Sequence, residues 1–305
     1  MAVIEVEGLR KVYGRRVAVG GLDLDVPDGG GVFGFLGPNG SGKTTTIRMI
    51  LGLIAPSAGR ASVLGVTPGP ALHRVMPRIG AIVESPALFP AFSGRRNLEL
   101  LGRIQGIGPK AVAGALARVG LAERADDRVS KYSLGMKQRV ALAAVLLKDP
   151  ALLILDEPAN GLDPQGMKEL RDLVKSLGAE GRTVFVSSHL LSEIQLMCDR
   201  VAIIQSGVRV TQGTVEEVLA LGRPTGLLVR VADAARAAEV LGAAGITATV
   251  TGEPEQLRVD LPHDAGARVT RALAAQGIFL RELVADEVDL ETVFLELTRR
   301  GPQIP

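Results

Sequence analysis

Residues Gly37 to Thr44 read GPNGSGKT, which fits the spacing G-x-x-x-x-G-K-[ST]. Gly37, Gly40 and Gly42 let the backbone turn its N–H groups inward. With the positive end of a helix starting near Lys43, those donors suit a polyphosphate. The Lys43 ammonium would contact the terminal phosphates, and the Thr44 hydroxyl would ligate Mg²⁺. Pro38, Asn39 and Ser41 complete the loop, and Thr45 continues into the helix. A second run, LLILDEP, ends in the acids Asp156 and Glu157. Asp156, closing a buried strand, can hold Mg²⁺ through water. Glu157 can orient or deprotonate a water that attacks the last phosphate. Taken alone, DEP could be a strand-ending turn; the phosphate loop upstream gives its carboxylates a partner.

These groups need elements to hold them. VFGFL before the loop and TTIRMILGL after it read as strand, turn and helix. AVIEVEGLRKVYG alternates apolar and polar residues as a strand does. RIGAIVESPALF is a strand entering a Pro-bounded loop, and GRRNLELLGRIQ opens a helical stretch that lasts to about Leu121. ALLILDEP is an unbroken apolar run that suits a buried central strand. MKELRDLVKSLGAEG is an amphipathic helix, and TVFVSSH and RVAIIQSG are further strands. The alternation predicts an α/β fold with a mostly parallel sheet over residues 1–220. After a GRPTG linker, residues 225–305 read β-α-β-β-α-β plus a closing helix, the order of a small ferredoxin-like α+β domain. The alternative is a decorated extension of the first sheet.

Composition excludes several classes. With 305 residues and 47% apolar side chains, the chain can bury a sizeable core. A net charge of +2 with interspersed signs gives no basic stripe, so no nucleic-acid partner is expected. The single cysteine, Cys198, rules out an internal disulfide and fits a reducing compartment. The N-terminal MAVIEVEGLR is not patterned as a signal peptide. No apolar run approaches the roughly 18 residues of a spanning helix. The reading is therefore a cytoplasmic protein, free to dock onto a membrane partner.

The stretch KYSLGMKQR, Lys131 to Arg139, holds no His, Cys or carboxylate, yet a Ser and a Gly stand where a helix begins. With the two phosphate-site motifs ahead of and behind it, the chain strongly resembles the ATP-binding subunits of ATP-binding cassette (ABC) transporters. The resemblance spans about residues 1–220 and rests on seven motifs in order, ending with the NGLDP loop and SSH. It implies a P-loop cassette binding ATP and Mg²⁺, hydrolysing ATP, and pairing head to tail with a second ATP-binding subunit. The complete motif set allows a homodimer. It implies that Ser133 and Gly135 face the nucleotide of the other subunit, and that Asp163 crosses the interface. Tyr13 would stack on adenine, and His189 would link the terminal phosphate to Glu157. A separate membrane permease would hold the protein at the inner face of the membrane.

Some positions depart from the family pattern. Leu134, Met136 and Lys137 replace common signature residues, and Lys137 would add charge near phosphate. Glu84 stands where the family usually has a Gln that contacts Mg²⁺ and water. This exchange, YSLGMKQR and the closing LETVFLELT resemble the branch that exports drugs and peptide antibiotics such as bacitracin and lantibiotics. In SGRRNL, Arg96 replaces an acid, which removes a capping box. A soluble cassette ATPase acting on ribosomes or DNA is the alternative, but such chains usually carry two cassettes, zinc motifs or long coiled coils. The C-terminal unit is open to two readings: a regulatory module, or a part serving dimerisation or stability.

Overall fold

The computed structural model describes residues 2–83, 88–222, 226–286 and 289–299. The chain divides between Val218 and Leu219 into two compact units. The second ends at Glu296, and the described residues 297–299 group with the first.

The first unit opens with β1 (Ala2–Tyr13) and β2 (Arg16–Pro27), joined by the Gly14-Arg15 turn. They pair antiparallel, and β4 (Ala58–Val63) joins the other edge of β1 in the order β2-β1-β4. The sequence reading has AVIEVEGLRKVYG and VFGFL as strands before the phosphate loop and lacks β2 between them. In β2 the Gly20-Gly21 pair and a register shift beside it interrupt the alternation that would have marked it.

The larger sheet is built from β3 (Gly31–Leu36), β5 (Ile79–Ile82), β6 (Leu152–Asp156), β7 (Thr183–Ser188), β8 (Arg200–Gln205) and β9 (Val208–Thr214). Its order is β5-β6-β7-β3-β8-β9, parallel throughout except for β9. Every residue of β6 and β7 is buried, as strands covered on both faces require. Helix α1 (Lys43–Ile50) fills the space between the two sheets with Ile47, Met49 and Ile50, sharing one core with Ile4, Leu22, Phe35 and Phe185. Phe185 lies against Phe33 and Phe35 at centroid distances of 5.8 and 5.3 Å.

Helices α2 (Gly94–Ile104), α3 (Pro109–Arg118) and α4 (Leu134–Leu146) pack on one another as a separate helical layer. Ser93 still caps α2 by accepting from the Arg96 N–H at 3.1 Å, so losing the acid at Arg96 costs only the reciprocal half of the box. Helices α5 (Pro164–Ala179) and α6 (Leu191–Met197) cover the larger sheet at β3, and α7 (Val215–Leu219) follows β9.

The second unit contains β10 (Gly226–Arg230), α8 (Ala234–Ala243), β11 (Ala248–Val250), β12 (Gln256–Val259), α9 (Gly266–Ala274) and β13 (Glu282–Asp286). The strands form an antiparallel sheet in the order β11-β12-β10-β13. Alternate residues Leu227, Val229, Leu257 and Val259 face Ala237 and Leu241 of α8 and Val269 and Leu273 of α9 in one core. The other face carries the Arg258–Asp286 ion pair at 2.7 Å. Helix α10 (Leu290–Arg299) follows β13.

Candidate functional site

Three neighbouring parallel strands deliver chemistry to one crevice. β3 runs into the phosphate loop, β6 ends at Asp156, and β7 ends one residue before His189. The crevice beyond the carboxyl ends of a parallel sheet is where such folds bind ligands.

Helix α1 starts after Gly42, whose φ is 104° and which offers no side-chain cap, so the first-turn N–H groups stay available to an anion. A Cβ at Gly42 would fall 2.6 Å from the Ala18 carbonyl oxygen, and one at Gly37 would fall 2.6 Å from that of Ile204. The loop is braced from below. The Gly207 N–H donates to the Ser41 carbonyl at 2.9 Å, and Gly20 N–H donates to Gly207 at 2.9 Å. Ser206 and Gly207, both with positive φ, form the two-residue turn between β8 and β9. The Ser41 hydroxyl is buried with no hydrogen-bond partner.

Lys43 is almost wholly buried. Its ammonium donates to the carbonyls of Gly37 at 2.7 Å and Pro38 at 3.4 Å, and lies 3.2 Å from Glu157 Oε1. The other Glu157 oxygen, Oε2, accepts from His189 Nδ1 at 2.7 Å and from the His189 backbone N–H at 3.3 Å. With a carboxylate oxygen as acceptor, Nδ1 is the donor of this hydrogen bond. Glu157 has φ 49°, a left-handed conformation that costs a non-glycine residue about 1 kcal/mol or more. Ser187 holds it there: the Glu157 N–H reaches Ser187 Oγ at 3.0 Å and its carbonyl at 3.1 Å. The same Ser187 hydroxyl donates to Asp156 Oδ1 at 2.5 Å.

A cleft of about 420 Å³ runs from Tyr13 and Arg16 past Asn39, Gly40 and Thr45 to Lys43 and Glu157. Tyr13 is half-exposed at the end of β1, with Lys11 Nζ 5.2 Å from its ring centroid. A second cleft of about 560 Å³ collects Thr44, Asp156, Glu157 and Asn160 with Leu134 and Gln138 of α4.

At the start of α4, Ser133 Oγ accepts from the Met136 N–H at 3.2 Å. The preceding Tyr132 anchors this end: its buried hydroxyl donates to the Arg124 carbonyl at 2.5 Å, and burial pushes its phenol above the usual tyrosine range. Gly94 packs so closely on that hydroxyl that a Cβ there would lie 2.6 Å away. Asp163 is exposed and caps α5, accepting from the Gly166 N–H at 2.8 Å. Glu84 lies outside the described residues.

The structure thus brings Tyr13, Gly37 to Thr45, Asp156, Glu157 and His189 to one crevice. Ser133, Gly135 and Asp163 mark two helix starts, α4 and α5. Sequence reasoning passed over Arg16, Ser187, Asn160 and Gln138. Arg16 pairs with Tyr13 across the β1–β2 turn, a contact visible only once that hairpin is drawn. Ser187 stands two residues before His189 at the polar end of a strand, TVFVSS, that reads only as a strand pattern. Among the described residues, no group of three or more His, Cys, Asp or Glu could hold a metal alone, and no helix is long and apolar enough to cross a membrane.

Comparison with known proteins matches this geometry. Residues 19–160 match the family model described as ABC transporter. An uncharacterised ABC transporter ATP-binding protein, YhcH of Bacillus subtilis (strain 168), is 40% identical over 298 residues, 97% of this chain and 96% of that protein. The bacitracin transport ATP-binding protein BcrA of Enterococcus faecalis is 35% identical over 302 residues, 98% of this chain and 97% of that protein. Among solved structures, cbiO1 of Clostridium perfringens, part of the ABC transporter complex cbiONQ, superposes with a TM-score of 0.65. It is 32% identical and covers 72% of this chain and 91% of its own. A phosphate loop, a carboxylate poised beside its lysine and relatives matched over nearly their whole length lead to one conclusion: this chain belongs to the ATP-binding, ATP-hydrolysing subunits of ABC transporters.

Proposed function

We propose that this chain is the motor of an exporter that moves a drug or peptide antibiotic. Two copies would close on two ATP molecules and reopen after hydrolysis, driving a separate permease on whose cytoplasmic side they sit. The observation that carries the reading is the Glu157 carboxylate, held between Lys43 at 3.2 Å and His189 at 2.7 Å beside the phosphate loop. Export rests on the resemblance to transport and resistance subunits such as BcrA.

The residues present fit Mg²⁺. Thr44 and Asp156 offer hard oxygen donors to one cleft, and with too few acids for a full cage they suit an ion that keeps waters and phosphate oxygens as ligands. When bound, the ion supplies charge neutralisation on the phosphates. Glu84 is proposed to add a further oxygen. The α1 N–H groups and the Lys43 ammonium bind and orient the phosphate chain, and Tyr13 receives the adenine. The buried, unpartnered Ser41 hydroxyl gives the loop one more donor. Glu157 accepts the proton of the attacking water, and His189, donating to Glu157 through Nδ1, keeps the carboxylate aimed. Ser133 and Gly135 of the second copy press on the same phosphates, and Asp163 lies at that interface. The folded unit from Leu219 is proposed to serve the stability of the motor or of its dimer.

The test is Glu157→Gln. ATP binding is expected to persist while phosphate release falls by about 10² to 10⁴, the usual share of a general base. Parental hydrolysis by that variant would remove Glu157 from the mechanism.

A further inference from the structure

Gln138 lies in the second turn of α4, beyond the end capped by Ser133. Its Nε2 donates to the Pro158 carbonyl oxygen at 3.1 Å. Its Oε1 is buried with no hydrogen-bond partner. An unpaired buried amide oxygen is destabilising, and a hydrocarbon side chain of the same length would pack there without that penalty. Such a side chain would also leave the carbonyl of buried Pro158 without this donor, so the two effects on stability oppose each other. The partner it does hold is informative. Pro158 directly follows Glu157, the residue with φ 49°. Ser187 takes the Glu157 N–H, and Asn160 N–H donates to the Glu157 carbonyl at 3.1 Å. Gln138 fixes the next carbonyl, so the backbone is pinned on both sides of the carboxylate. Gln138 also lines the cleft shared by Thr44, Asp156 and Glu157.

We propose that Gln138 is a positioning residue that holds Glu157 in its left-handed conformation through the Pro158 carbonyl. The aim of the carboxylate thereby depends on α4, the helix whose capped end carries Ser133. A shift of α4 along its axis would carry Pro158 with it and turn Glu157 away from Lys43 and His189. The inference rests on the assignment of Glu157 made above.

The test uses the whole chain and two substitutions. Gln138→Met keeps the length, removes the donor and removes the unpaired oxygen. Gln138→Glu keeps the shape and sets an acceptor against an acceptor. Both are expected to lower kcat for ATP about tenfold to a hundredfold, the scale of a misplaced catalytic group, with KM for ATP within about twofold of the parent. The melting temperature of Gln138→Met is expected to stay close to that of the parent, because removing the unpaired oxygen offsets the lost donor to Pro158. In a Glu157→Gln background, Gln138→Met is expected to cause no further loss. Parental kcat in Gln138→Met, or a loss of kcat that only follows a loss of melting temperature, overturns the inference while Glu157→Gln remains inactive. Parental hydrolysis by Glu157→Gln instead overturns the assignment on which it stands.

Discussion

The two helix starts that carry glycine and serine, at α1 and at α4, are built on different terms. At α1 the glycines are demanded by their own chain: Gly42 sits at φ 104°, and a Cβ at Gly42 or Gly37 would run into a backbone carbonyl at 2.6 Å. At α4 the chain makes no such demand. Gly135 has ordinary helical φ, and a Cβ there would meet nothing nearer than Leu162 Cδ2 at 3.7 Å. Glycine inside a helix is destabilising by roughly 0.5–1 kcal/mol relative to alanine. A glycine that its own fold does not need, beside an exposed capping serine, fits the close approach of a second copy proposed above. One helix start forms a site by itself; the other, in the function proposed above, is half of a site.

Substitution separates the two. Gly42→Ala is expected to have the largest effect, costing about 1–3 kcal/mol of backbone strain in addition to the clash. Thermal unfolding and ATP affinity report it together; a variant that melts and binds like the parent would show that the phosphate loop tolerates a side chain. Ser133→Ala should lower stability by about 1 kcal/mol through the lost cap, with a larger effect on turnover than on folding. Gly135→Ala should leave the melting temperature unchanged or slightly raised and still depress ATP turnover. If both glycine variants lose stability equally, the distinction between the two helix starts fails.

The smallest effect is expected at Cys198. Burial holds its thiol far above the usual range, so the folded protein keeps it protonated while an unfolded chain would ionise. Its contribution to stability is fully present below about 8.5, the ordinary thiol value, and is lost progressively as pH rises from there toward the raised value of the folded state. Alkylation at pH 8 should label the unfolded chain and spare the native one; rapid labelling of native protein would contradict the burial.

Much of the site was legible because its chemistry is local in sequence. GPNGSGKT and LLILDEP each place their groups by a strand end and the turn after it, and their positions follow from the run itself. The Glu157–His189 link was expected from the family resemblance, whereas the Lys43–Glu157 contact appears only once β3, β6 and β7 lie side by side. The antiparallel sheet was hidden because β2 pairs with its neighbour through bulges at glycines, where period-two patterning breaks. Gln138 was hidden for a different reason: a polar residue on a helix looks solvated until the fold sets Pro158 against it. Asp163 was read for an interface, and its visible work in this chain is to cap α5.

We propose that Ser133 and Gly135 complete a nucleotide site on a second copy. Sedimentation of the Glu157→Gln chain with and without ATP tests it most directly. A monomer is expected without nucleotide, a dimer with ATP, and a monomer again when Ser133 is replaced by Arg. A monomer at every ATP concentration, or a dimer indifferent to both ATP and Ser133→Arg, would contradict it.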